Sequence, residues 1–135
     1  MSDIDQHCQT MVNEVDDALG AAVVDLNSGL LLGVHHIIPH FTQTYLDAVA
    51  AAAVDMFRGK TVSNVEKLLS EQRGEDASNA MQEVQFMTPK TYHFMSVIPQ
   101  KPNCLLVLIT GKKANLGLGW SAVRNALDDV AALCP

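Results

Sequence analysis

From residue 45 to 57 the chain reads YLDAVAAAAVDMF, eleven apolar positions out of thirteen, broken by Asp47 and Asp55. Alanine has the highest helix propensity, so the stretch predicts a helix whose small side chains let another backbone approach closely. Asp47, Ala51, Asp55 and Arg58 recur at helical spacing and share one narrow stripe, which leaves the remaining circumference apolar. An ordinary surface helix buries a single face. This one predicts either a thick monomer or a second molecule as cover.

The other elements follow from the same patterns. Ile4, Cys8, Met11, Val12, Val15 and Leu19 recur at steps of three and four, predicting an amphipathic helix over about residues 3–18, ended by Gly20. Residues 20–25 and 30–36 read as a hairpin of two nearly all-apolar strands, which suits a central position in a sheet. Asn27 and Gly29 between them tolerate positive φ. Thr44 with Asp47 offers a capping box for the alanine helix, and Ser63 with Glu66 another for a short helix within residues 61–72. Residues 73–80 are polar and read as an exposed loop. From Met81 the period becomes two: Val84, Phe86 and Thr88 alternate with Glu83, Gln85 and Met87, and residues 92–98 return as the partner strand. Residues 99–103 hold two prolines and predict a loop; residues 104–110 form a fifth, central strand. Asn115 is placed to cap a last helix with Leu116, Trp120, Val123, Leu127 and Val130 on its apolar stripe. The expected order is α-β-β-α-(short α)-β-β-β-α. Strand runs joined by tight turns imply an α+β fold, a five-stranded antiparallel sheet with helices on its faces.

Composition narrows the function. A chain of 135 residues is one domain, residues 1–135. The net charge of -6 leaves no basic patch for nucleic acid or an anionic membrane. Cys8, Cys104 and Cys134 are odd in number and far apart, as expected of reduced thiols in a cytoplasmic protein. Neither a signal peptide nor a membrane-spanning run is expected.

No catalytic constellation emerges. Thr110-Gly111-Lys112-Lys113 lacks the earlier glycine and the hydroxyl of a phosphate-binding loop, whose places hold Leu106 and Lys113. Gly117-Leu118-Gly119 has Ala122 where a dinucleotide fingerprint needs glycine, and Ser121 lies inside a helix without the second glycine of a nucleophile elbow. Asp16 with Asp17, and Asp128 with Asp129, diverge around their helices as solvated faces. His35, His36 and His40 are the strongest metal candidates, although adjacent strand residues point to opposite faces. Lys112 and Lys113 read as an exposed turn with the option of contacting an acidic partner. The chain is expected to be no enzyme and to need no cofactor.

The strand GAAVVDLNSGLLLG, the alanine helix and the ending CLLVLITGKKANLGLGWSAVRNALDDV together resemble the roadblock/LC7 family over nearly the whole chain. Gly20, Asp25 and Gly29 stand where that family's first hairpin has its glycine and Asp-x-x-x-Gly turn. The more specific ending is matched by Leu105, Val107, Leu108, Thr110, Lys113, Ala114, Asn115, Leu116 and Gly117. The resemblance implies a dimer in which central helices pack together and third strands join two sheets into one. It also implies a scaffold or regulator of Ras-like small GTPases, or a dynein light chain. The segment 61–80 is longer than the simplest members need, and offers a cap for the dimer surface or a private binding site.

The leading expectation is therefore a non-catalytic homodimer that binds a small GTPase. Leu46, Val49, Ala50, Ala53, Met56 and Phe57 would be divided between sheet and twin, with Val84 and Phe86 on the third strand. Ala50 and Ala53 would mark the helix crossing. The alternative is a small-ligand or metal sensor built on His35, His36 and His40.

Overall fold

A computed structural model describes residues 2–135. Helix α1 (Asp3–Glu14) opens on a capping box in which the Ser2 hydroxyl accepts the Asp5 N–H and Asp5 accepts the Ser2 N–H. It stops at Glu14, four residues short of the expected end, because Ala18 and Leu19 are taken into β1 (Ala18–Asp25), where Ala18 pairs with Thr110. Asp17 makes the reversal at φ 60°.

Strand β2 (Leu31–His36) returns antiparallel to β1 through a turn in which Gly29 takes φ 75° and Asn27 does not. Asn27 N–H and the Ser28 hydroxyl both donate to the Asp25 carboxylate, so the aspartate organises the turn instead. A register shift between Val23 and Val24 leaves Leu32 as the extra residue of β2, beside Gly33 on the α1 face, while Leu31 joins the core beneath α2.

Helix α2 (Gln43–Arg58) is capped two residues earlier than expected, at Thr42 instead of Thr44: the Thr42 hydroxyl accepts the Tyr45 N–H, and Asp47 is engaged by the Gln43 amide. Helix α3 (Lys60–Arg73) follows after Gly59 alone, so Ser63 lies inside it and caps nothing; Glu66 reaches the Ala80 N–H instead. At fourteen residues it is not the minor helix expected.

Strands β3 (Glu83–Met87), β4 (Thr91–Ile98) and β5 (Lys101–Gly111) complete an antiparallel sheet of order β2-β1-β5-β4-β3. Strand β5 is central as expected, but it begins inside the expected loop. Pro102 is accommodated where the register slips from Ile98↔Lys101 to Val97↔Leu105 and no ladder donor is demanded of it. Strand β2 is an edge, not the central strand its apolar run suggested.

Helix α4 (Leu116–Leu133) is capped by Asn115 accepting the Leu118 N–H, as the sequence indicates. Its buried stripe is Gly119, Val123, Ala126, Val130 and Ala131, whereas Leu116 is exposed and Trp120 and Leu127 are half-buried. Small residues at the contact bring α4 close to the sheet. Helices α1 and α4 share one face with Val23, Phe94, Leu106 and Leu108; α2 covers the other with Val24, Met95, Leu105 and Val107.

Candidate docking surface

The alanine helix sorts its residues by size. Ala50, Ala53 and Phe57 are 1%, 0% and 0% exposed and face this chain's own sheet, which corrects their assignment to a surface shared with a twin. Leu46, Val49 and Met56 lie half-buried along the margins. The outward face is Asp47, Ala48, Ala51, Ala52 and Asp55, flat and nearly without large side chains. The aspartate stripe marks the exposed side, as its spacing indicated. The alanines beside it do not differ in hydropathy from those beneath, so sequence alone could not sort them.

The two edges of the sheet are unlike. On β2, the outward Val34 N–H donates to Asp5 Oδ1 at 2.8 Å, and this bond, before the cap at Ser2, holds the Asp5 carboxyl below its usual range. Gly33 permits that approach, since a Cβ there would fall within 2.8 Å of the Ile4 side chain. Helix α1 thereby closes this edge. On β3, Val84 and Phe86 lie half-buried on the α2 side, while Glu83, Gln85 and Met87 turn toward α4. Arg124 donates twice to Glu83, at 2.9 and 2.8 Å, and Trp120 Nε1 donates to Gln85 at 2.6 Å. These bonds pin the strand flat against α4. Its outer edge pairs with nothing among the described residues, a free template for another strand.

The adjacent lysines are separated by the fold. Lys112 Nζ sits 4.5 Å from the Tyr92 ring centroid and donates to Met87 Sδ at 3.4 Å, which draws it toward β3. Lys113 is anchored through its backbone N–H to Asp17, and its exposed side chain lies beside the α1 end of a groove with Asp16 and Leu118. They do not form one basic patch.

The histidines are also dispersed. His35 and His36 alternate across β2; His36 Nδ1 accepts the Ile38 N–H, and the rings of His36 and His40 pack on Phe41 at 5.5 and 5.3 Å. Among the described residues no three His, Cys, Asp or Glu side chains are placed to hold a metal ion. Of the five histidines sequence reading passed over two, His7 on α1 and, in the sheet, His93. It is 7% exposed, stacked on Phe86 at 4.2 Å and tied through Nε2 to the Thr91 hydroxyl at 2.9 Å. Burial lowers its pKa.

A five-stranded antiparallel sheet of order 2-1-5-4-3, with two helices on one face and one on the other, is an α+β arrangement with one closed edge and one open. It is the roadblock/LC7 fold. The roadblock/LC7 domain from Streptomyces avermitilis superimposes with a TM-score of 0.70 at 20% identity, covering 96% of this chain and 95% of that one. MglB of Myxococcus xanthus gives 0.68 at 17% identity, covering 96% and 92%. The gliding protein MglB from Thermus thermophilus gives 0.68 at 18% identity, covering 95% and 85%. No family sequence model matches the chain, and no curated protein does.

Proposed function

We propose that this chain is a non-catalytic homodimer that binds a Ras-like small GTPase, with α2 and the β3 edge as the dimer surface. The observation that carries the reading is the asymmetry of the sheet. The β2 edge is sealed by Asp5, whereas the β3 edge is open and adjoins an α2 face made of alanines that another helix could approach closely. An isologous pairing about a two-fold axis uses both at once. Sharing its fold with MglB, and resembling the roadblock/LC7 family in its first hairpin and its ending, supports the GTPase as partner.

Nothing in the sequence singles out Arg58, Arg73 or Arg124 as a donated catalytic group. Arg58 is committed to the Pro102 carbonyl at 2.6 Å and Arg124 to Glu83, while Arg73 is exposed at the end of α3; the mechanism in this proposal is shaping of the partner's own loops. No described helix is long and apolar enough to cross a membrane.

The test combines mass and partner. Sedimentation should give a dimer for the wild type and a folded monomer for Ala51→Arg, which puts a charge on the outward face. Ala50→Arg would instead break the chain's own core. Ras-like GTPases from the same genome, loaded with GDP or a GTP analogue, should include one that binds the dimer. A wild type that remains monomeric, or a dimer that binds none of them in either state, would refute the proposal.

A further inference from the structure

We infer that two copies of β3 pair antiparallel about an axis through Gln85, which sets Lys112 of each copy against Glu83 of the other; the inference rests on the homodimer proposed above. The backbone decides which groups the open edge offers. Thr88 N–H donates to the Thr91 carbonyl at 2.9 Å and Val97 N–H to the Gln82 carbonyl at 2.8 Å. Gln82, Val84, Phe86 and Thr88 therefore turn their backbone groups toward β4. Glu83, Gln85 and Met87 turn theirs outward, where no described strand takes them.

A two-fold axis perpendicular to the sheet keeps α2 of both copies on one side. Residues directly opposite in an antiparallel pair share a face, so each must oppose a residue an even number of places away, and one residue must oppose itself. With Gln85 on the axis, Glu83 opposes Met87, and every outward N–H and C=O of both strands is paired. An axis at Phe86 or Met87 would set Glu83 or Gln85 against Pro89, which has no N–H to give. One at Val84 would carry Met87 past the strand to Met81, and one at Glu83 would oppose two like charges.

The side chains fit the same register. On the α2 side Val84 meets the partner's Phe86, a β-branched and aromatic pair. On the α4 side Gln85 Oε1 accepts the Trp120 indole N–H, which leaves the Gln85 amide N–H groups free to bond the partner's Gln85. Lys112 lies over the Tyr92 ring with Nζ 3.4 Å from Met87 Sδ. The partner's Glu83 falls on the same face one strand further out, its Cα about 5.5 Å from that of Met87. This charge complementarity identifies the occupant. The edge carries an acid at Glu83 and a cation over Met87, equally far from Gln85, as a segment must to pair with its own inverse.

The test is disulfide trapping in the full chain, whose own three thiols are buried. Under oxidised glutathione Gln85→Cys should link to itself, because self-opposed Cα atoms lie about 5.5 Å apart. Glu83→Cys should link only when mixed with Met87→Cys. Val84→Cys, set diagonally to itself beyond about 7 Å, should stay unlinked. Lys112→Glu changes an exposed side chain, and should weaken dimerisation by about tenfold or more in sedimentation equilibrium with circular dichroism unchanged. A dimer that links through Val84→Cys, or through none of these cysteines, or that stays equally tight with Lys112→Glu, would overturn the register and leave the homodimer standing. Loss of GTPase binding with dimerisation intact in Lys112→Glu would likewise overturn it, assigning the lysine to the other partner. A wild type monomeric at every concentration would remove both.

Discussion

The Asp17 carboxylate accepts the backbone N–H of Lys113 at 2.9 Å, joining residues 96 positions apart. One residue thus makes the α1 to β1 reversal, at φ 60°, and organises the connection from β5 to α4. Its carbonyl also accepts the Gly111 N–H at 2.9 Å. Asp17→Ala loses the side-chain acceptor and places a residue less tolerant of positive φ there. It should destabilise the chain by about 1–2 kcal/mol in urea unfolding. Asp17→Asn should recover part of that. Equal stability of Asp17→Ala and wild type would show that the bond contributes nothing.

Gly119 seats α4 on Phe94. A Cβ at this position would lie 2.6 Å from Phe94 Cζ, and that ring is fully buried with Trp120 set edge-on to it at 5.3 Å. Gly119→Ala gains helix propensity but overpacks the core, and the steric effect should win. A net loss of about 1–3 kcal/mol is expected from chemical denaturation, accompanied by a changed near-ultraviolet signal from Trp120. A stabilised variant would contradict the close seating.

Two buried or paired groups make stability depend on pH with the same sign. The Thr88 hydroxyl accepts N–H bonds from Lys90 and Thr91, so its proton goes to Thr91 Oγ1, and the Thr91 proton to His93 Nε2. His93 then carries its own proton on Nδ1, which is buried without a partner among the described residues. Burial depresses its folded pKa below the ordinary 6.5, so the unfolded chain binds more protons once pH drops below that value. Stability should be full above pH 6.5 and decline as pH falls toward and through the folded pKa. His93→Phe, measured by thermal unfolding between pH 7 and 5, should flatten this decline; an unchanged slope would count against His93 as its source. The Arg124 guanidinium likewise holds the Glu83 carboxyl below its ordinary 4.5, adding a smaller loss at more acid pH that Glu83→Gln should remove.

All three thiols are buried in the core shared by α1 and α4. Burial pushes Cys8 up to about 12, and burial together with the neighbouring Cys104 thiol pushes Cys134 up to about 12. Thiolate is the reacting form, so native protein should be modified by an aromatic disulfide reagent only as fast as it opens. Denatured protein should titrate three thiols at once. Rapid labelling of any one in native buffer would refute its burial.

The element order, the central place of β5, the Asn115 cap and the exposed aspartate stripe of α2 were all legible in the sequence, because periodicity and capping are local properties carried by neighbouring residues. The end of α1 was not, since strand pairing of Ala18 with Thr110 overrode an apolar pattern that continued at helical spacing. Nor was the edge position of β2, whose apolar run reflects helices packed on both its faces. The docking surface depended most on tertiary structure. Hydropathy cannot separate Ala50 and Ala53 from Ala48, Ala51 and Ala52, because identical side chains carry no mark of direction. Only the placement of α2 on the sheet buries the first pair and leaves the other three exposed.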